Sequence, residues 1–409
     1  MQMNIVLVSY EFPPLNAIGG IGSYMYHLSV FLTSKGQKVT VFSANPGAVE
    51  LSVFNYPHCV NYVIPSSNND AFRNEVVPVF ERFHKSNRVD VIESPEVGAC
   101  ALHVKEKFPH IPLVVKMHSP GVLITKVNNS YLPLKKKLRF VAGALMRGRL
   151  DAGFWASHDK NQANDLEYRI CMIADTLLSP SMALKKWAVQ FWGIRPERIK
   201  LLRNPFSVQD GLFSMPLNSR PNVISFVGKL SVLKGMLAFT KAIPMILKKN
   251  KGYKLLLVGR DEIENGVSMQ EYMEVELTAY RTEIIFTGAL DRDKLNEVYA
   301  SSKVCVIPSL WENYPTVVME AMAAGAAVAA ADRGGIPELI SHNVTGLLFD
   351  AMKPEVIARV VNDLLFNEEK RLAMVIVARQ ELLNNINSPQ FENDLLQVYT
   401  QYKNCNTSS

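Results

Sequence analysis

Short apolar runs alternate with longer stretches of helical period along most of the chain. A first series of runs is IVLVSY (5–10), KVTVFSA (38–44), VDVIES (89–94), LVVKMH (113–118), TLLSPS (176–181) and IKLLRN (199–204). A second is VISFVG (223–228), KLLLVG (254–259), IIFTG (284–288), KVCVIPS (303–309), AAVAAA (326–331) and TGLLF (345–349). Runs this short and continuous, closed by Gly, Ser or Asn, predict strands of parallel sheets buried on both faces by the helices between them. The alternation breaks once, at NPFSVQDGLFSMPLNSRPN (204–222), which is rich in Pro, Ser and Asn and has no helical period. That stretch predicts a linker, after which the strand–helix pattern restarts. The expected class is therefore α/β, with two doubly wound parallel-sheet domains and ligands at the carboxyl ends of the strands.

Composition and charge narrow this further. Hydrophobic residues make up 48% of the 409 and charged residues 20%, which excludes a disordered chain. Cys59, Cys100, Cys171, Cys305 and Cys405 are scattered without a C-x-x-C pair. This excludes a disulfide framework and a Cys-rich zinc site, and it suits a reducing, cytoplasmic setting. No apolar run approaches the roughly 18 residues of a membrane span, and IVLVSY is too short for the core of a signal peptide. The net charge of +6 is unevenly divided. Residues 1–205 hold 24 Lys+Arg against 15 Asp+Glu (+9), and residues 206–409 hold 20 against 23 (−3). A basic front half points to an acidic partner such as a phosphorylated ligand or a lipid surface. Zinc-finger spacings and aromatic–basic RNA signatures are missing from the sequence, so nucleic acid is not an expected partner.

Three segments carry candidate chemistry. After the first strand, Gly19, Gly20 and Gly22 precede a helix with Tyr24, Leu28, Phe31 and Leu32 on its apolar face. Glycines there let N–H groups approach an anion, although the spacing is not a dinucleotide fingerprint and a plain turn has equal claim. In FVGKLSVLKG (226–235), Gly228, Lys229 and Lys234 follow the restart strand, where two cations can neutralise a diphosphate leaving group. In PSLWENYPTVVMEAMAAG (308–325), Glu312 lies just past a strand and Glu320 eight residues on, inside the following helix. Carboxylates suit vicinal hydroxyls, so both are candidates to reach one ligand; the competing readings are a helix-dipole carboxylate for Glu312 and an ion-paired one for Glu320.

Taken together, PSLW, ENYPTVVME, EAMAAG, GGIPELI and NVTGLLF, with FVGKLSVLKG, LLSPSMALKKW and EFPPLNAIGGIGSY upstream, resemble the retaining glycosyltransferases of family 4 (glycosyl transferases group 1). The match is colinear over nearly the whole chain. It implies the GT-B fold, two Rossmann-like domains (1–205 and 206–387) facing a central cleft, with a C-terminal helix (388–404) packing back on the first. By that resemblance Glu312 holds donor-sugar hydroxyls, Glu320 the ribose, and Lys229 and Lys234 the diphosphate. Gly228, Arg260, Asn313, Tyr314 and Thr316 complete the donor side, and Gly19, Gly20 and Gly22 close on the sugar and phosphate. His118 of KMHSPG matches the histidine near the donor sugar, and the ESPE of DVIESPEVG places Glu96 near the acceptor with Glu93 behind it.

Some positions depart from the family pattern. Lys229 stands where many relatives have Arg, which loses the bidentate fork. Pro315 replaces a common glycine and removes one N–H. Arg260 and Asp261 follow KLLLVG in place of a further glycine. Asp291-Arg292-Asp293 spells a metal-binding D-x-D, but it opens the helix DRDKLNEVYASS, where an Asp is favoured as a cap. No metal and no cofactor are expected, the nucleotide-diphosphate sugar being a substrate. YLPLKKKLRFVAGALMRGRL (131–150) carries six Lys/Arg, no acid, and a Leu134, Leu138, Val141, Leu145 stripe among Lys135, Lys136, Lys137 and Arg139. It reads equally as a peripheral membrane contact or as an ordinary surface helix. The expected function is retaining transfer of a hexosyl unit from a UDP- or GDP-linked sugar to a sugar or lipid-linked acceptor, in polysaccharide or glycolipid synthesis. The rivals are a nucleotide-sugar epimerase on the same fold and a silent sugar-nucleotide-binding protein.

Overall fold

The computed structural model describes residues 2–16, 19–131, 142, 162–206, 211–264, 267–386 and 388–403. Most of the basic stretch 131–150, the glycine loop's Ala17 and Ile18, and Cys405 lie outside the described residues. The chain divides into two compact units, Met1–Phe206 with Pro389–Ser409, and Ser207–Ser388.

In the first unit the order is β1 (Asn4–Val8), α1 (Gly20–Ser34), β2 (Lys38–Asn45), β3 (Ser52–Tyr56), β4 (Cys59–Pro65), α2 (Asn69–Ser86) and β5 (Val91–Pro95). Then come α3 (Leu102–Lys107), β6 (Leu113–Lys116), α4 (Gly121–Tyr131), α5 (Leu166–Ile173), β7 (Thr176–Ser179), α6 (Met182–Trp192) and β8 (Ile199–Leu201). The eight strands lie in the order β3-β4-β2-β1-β5-β6-β7-β8. All neighbours are parallel except β3 and β4, an edge hairpin that the apolar runs did not predict. The cause is visible in β3: Val53, Phe54 and Asn55 are all exposed, so SVFNY never becomes the continuous apolar run of a buried strand.

Two helix layers bury this sheet. On one face Tyr24, Leu28 and Leu32 of α1 cluster with Leu7, Val41, Val114 and Leu178 of the strands. Leu395, Val398 and Tyr399 of α13 (Pro389–Thr400) join the same cluster. On the other, Phe80 and Phe83 of α2 pack their rings on Phe42. The chain winds outward from β1 through β2 and β4, then returns to the opposite side at β5. The β1/β5 boundary is thus a switch point, where loops splay apart and leave a crevice at the carboxyl ends.

The second unit repeats the scheme: β9 (Val223–Val227), α7 (Met236–Leu247), β10 (Lys254–Val258), a β11–β12 hairpin (Ile263–Glu264, Val267–Ser268), α8 (Met269–Glu276) and β13 (Ile284–Gly288). It continues through α9 (Arg292–Ser301), β14 (Val304–Ile307), α10 (Thr316–Ala324), β15 (Ala327–Ala331), β16 (Leu347–Phe349), α11 (Pro354–Phe366) and α12 (Glu368–Ile386). Its parallel sheet has the order β13-β10-β9-β14-β15-β16, so the switch point falls between β9 and β14. The small strand AVAAA of β15 is fully buried, as is most of α10, whose Ala321, Ala323 and Ala324 keep the two elements close.

A buried polar knot ties α13 to the first unit. Glu93 in the middle of β5 is completely buried and accepts hydrogen bonds from Tyr24 (2.5 Å) and from Tyr399. Burial raises its pKa, opposed by the two tyrosine hydroxyls and by the charge of Lys116. Removing one donor from a buried carboxylate typically costs about 1–3 kcal/mol. Tyr399→Phe should therefore lower unfolding stability by that order in urea titration. A variant as stable as wild type would show that Tyr399 does not support Glu93.

Candidate active site

The second unit's site is built where its sheet switches direction. Gly228 directly follows β9, Lys229 comes next and is exposed to solvent, and Lys234 sits two residues before α7. Gly235 has φ +76, and a Cβ there would lie 1.9 Å from the carbonyl oxygen of Pro308. Only glycine lets the Lys234 turn rest against the loop that leaves β14. That contact brings Lys234 to Glu312: Nζ donates to Oε1 at 2.5 Å, and Ser309 Oγ donates to the same oxygen at 2.7 Å. The pair is partly buried, with side-chain exposures of 25% and 14%.

Glu312 is fixed from its backbone as well. Gly335 N donates to the Glu312 carbonyl at 2.8 Å. At Gly334, with φ +57, a Cβ would stand 2.0 Å from that carbonyl oxygen, so the Gly334–Gly335 turn is packed on the Glu312 main chain. The GGIPELI segment thus positions the carboxylate. Asn313 and Tyr314 are half-buried in the turn before α10, and Thr316 is that helix's first residue. Arg260 is exposed just past β10, and its carbonyl accepts from Leu230 N at 2.9 Å.

Glu320 belongs to a separate network. It is 6% exposed, and Tyr299 donates to Oε2 at 2.8 Å while Arg292 Nη1 lies 2.6 Å from Oε1. The ion-paired alternative for this residue is what the structure displays, and Glu312 does not share its partners. Asp291 caps α9, accepting from Lys294 N at 2.9 Å, as the capping reading of D-x-D expected. Among the described residues no group of three or more His, Cys, Asp or Glu could hold a metal ion.

At the β1/β5 switch point of the first unit, four carboxylates do structural tasks. Gly19 N and Gly22 N at the start of α1 donate to Glu11 Oε2 at 3.0 and 3.3 Å. Two of the three glycines read as an anion cradle, Gly19 and Gly22, thus hold the chain's own Glu11, which the sequence alone did not single out. Glu96 is completely buried, and its oxygens accept from His118 N (2.7 and 2.8 Å) and Ser119 N (2.9 Å). Both oxygens are turned to this backbone, which sets Glu96 beneath His118. His118 Nδ1 lies 2.9 Å from the Lys116 carbonyl, and its ring meets Tyr24 edge-on at 5.1 Å. Glu93 is likewise internal. Glu167, also missed, bridges Gly98 N (3.1 Å) and Gly121 N (2.7 Å), tying the loop after β5 to the start of α4.

Comparison with known proteins places this geometry. The family model described as glycosyltransferase family 4 matches residues 18–210, and that described as glycosyl transferases group 1 matches 211–381. An uncharacterized glycosyltransferase of Methanocaldococcus jannaschii is 25% identical over 395 residues, covering 90% of this chain and 91% of that protein. Sucrose-phosphate synthase from Thermosynechococcus elongatus superposes with a TM-score of 0.73 at 19% identity, covering 98% of this chain and 99% of its own. HepE from Anabaena, solved in complex with UDP and glucose, gives 0.67 at 14% identity over 98% of this chain and 100% of its own. The chain belongs to the group 1/family 4 glycosyltransferases and has the GT-B fold.

Burial, then the neighbouring charge of Glu96, raises the Glu167 pKa to about 7 from the ordinary carboxylate value of 4.5. The folded state thus keeps a proton that the unfolded chain releases between those values. The stabilising effect of that proton is complete below about pH 4.5 and is lost as pH rises to about 7. Glu167→Gln keeps an acceptor without the charge, so it should flatten this loss, gaining on the order of 3 kcal/mol over wild type at pH 7.5 relative to pH 4.5. Parallel stability profiles for the two proteins would contradict the assignment.

Proposed function

We propose that the enzyme transfers a hexosyl unit from a UDP- or GDP-linked sugar to an acceptor hydroxyl with retention at the anomeric carbon. One observation carries the reading: a lysine and a carboxylate joined at 2.5 Å where β9 and β14 part. A diphosphate needs a cation at that switch point, and a sugar needs an acceptor for its hydroxyls beside it. Lys234 and Glu312 supply the two on adjoining loops, Lys229 adds a second cation, and Gly228, Arg260, Asn313, Tyr314 and Thr316 form the surroundings. Glu320 takes the ribose. In the first unit, His118 is offered to the donor sugar on a loop held by Glu96. The UDP and glucose bound by HepE support a nucleotide-sugar donor.

In this reading the leaving diphosphate helps remove the acceptor proton on the same face, and the protein contributes charge and orientation. The diphosphate is neutralised by lysine in the absence of a metal, so activity should survive EDTA. The excess of +9 in residues 1–205 supports a sugar or lipid-linked acceptor in cell-surface polysaccharide or glycolipid synthesis, with a cytoplasmic enzyme touching the membrane face through 131–150. No helix among the described residues is long and apolar enough to cross a membrane.

The test is incubation with a panel of labelled UDP- and GDP-sugars, with and without EDTA. Transfer or slow donor hydrolysis is expected; an epimer, or binding without product, would overturn the proposal. Glu312→Ala should abolish turnover while UDP or GDP still binds within about threefold of wild type, since uncharged contacts to the sugar leave the diphosphate grip intact.

A further inference from the structure

The D-x-D segment contains a residue whose partner lies outside it. Arg292 is the first residue of α9 and Tyr299 stands seven residues later, two turns along, so both point from one face of α9. Both reach Glu320 on α10, Arg292 at Oε1 and Tyr299 at Oε2. A carboxylate has about four acceptor directions, two on each oxygen. With one protein donor per oxygen, each oxygen keeps one direction for a ligand. That is the complement of a vicinal diol, which offers one donor to each.

The two partners are not equivalent. Tyr299 is fully buried, whereas the Arg292 side chain is 35% exposed and borders solvent. Arg292 Nε is buried without a hydrogen-bond partner among the described residues. Among the described residues the guanidinium's ion-pair partner is Glu320.

We propose that Arg292 is a positioning residue for donor selection: by holding Oε1 of Glu320 it fixes the carboxylate in the orientation that reads the 2′- and 3′-hydroxyls of the donor ribose. This rests on the assignment of Glu320 to ribose. Arg292 provides the planar, charged contact on the solvent side that Tyr299 provides on the core side. A carboxylate tethered by Tyr299 alone would turn about its last torsion and lose the match to the diol.

The experiment is isothermal titration of the full chain with UDP, GDP and ADP, each beside its 2′,3′-dideoxy counterpart. Wild type should favour the ribonucleotide that binds best by about 10- to 100-fold, the range for hydrogen bonds to a charged group. Arg292→Ala should reduce that ratio to below about threefold by weakening the ribo form while leaving the dideoxy form unchanged. Arg292→Lys, which keeps the charge and loses the rigid planar guanidinium, should fall between, and it decides the matter where the Ala variant does not fold by circular dichroism. Asp293→Ala, an exposed neighbour, should keep the wild-type ratio. Retention of the full ratio in a folded Arg292 variant overturns the inference, as does equal weakening of both forms, which would place Arg292 on the base or phosphate. The ribose assignment fails separately: wild type and Glu320→Gln would then bind both forms equally, and the inference falls with it.

Discussion

The Lys234–Glu312 pair is the constraint on which the second unit's site depends. Ion pairs at a surface contribute little, because water and side-chain freedom offset the attraction. This pair differs in being placed by main chain. The Lys234 turn abuts the Pro308 carbonyl through Gly235, and the Glu312 carbonyl abuts Gly334. Neither contact admits a Cβ, so the loops that leave β9 and β14 are locked to within the tolerance of backbone packing. Ser309 then adds a second donor to the same carboxylate oxygen. The result is a cation and an acceptor preorganised at the sheet's switch point, which is the arrangement that stabilises charge leaving on a diphosphate.

The first unit uses carboxylates differently. Glu93, Glu96 and Glu167 are turned inward, toward tyrosine hydroxyls and backbone N–H groups, and Glu11 turns to the start of α1. Their work is to hold loops. Glu96 sets the backbone that presents His118, and Glu167 sets the approach of α4 to the loop after β5. Lys116 shares this interior: its Nζ donates to the Leu202 carbonyl at 2.5 Å, and burial lowers its pKa to about 7. Glu93, Glu96 and Lys116 are fully enclosed and satisfied by named partners, which is the condition for burying them at all.

Much of this was legible in the sequence, for reasons that differ by element. The parallel strands were plain because burial on both faces makes each one a continuous apolar run; AVAAA and VCVI leave no other reading. The β3–β4 hairpin was not, since its outer strand exposes Phe54 and Val53 beside Asn55. The eight-residue step from Glu312 to Glu320 put both on one helix region, but only the fold shows that Arg292 and Tyr299 from α9 take up the second carboxylate. Gly334 and Gly235 were visible as glycines within motifs, while the carbonyl each one meets was not. Glu11 and Glu167 carried no signal: each is a lone carboxylate whose partners lie 8 to 69 positions away.

The central claim is that Lys234 and Glu312 act as one unit in transfer. A double-mutant cycle on kcat/KM with Lys234→Met, Glu312→Gln and the pair together measures this directly. Each single change should lower kcat/KM by about 10²–10³, and the double variant should fall little below the weaker single, because transition-state stabilisation needs both groups in place at once while ground-state nucleotide binding does not. A double variant whose loss equals the product of the two single losses would show that the residues act independently, and would contradict the account.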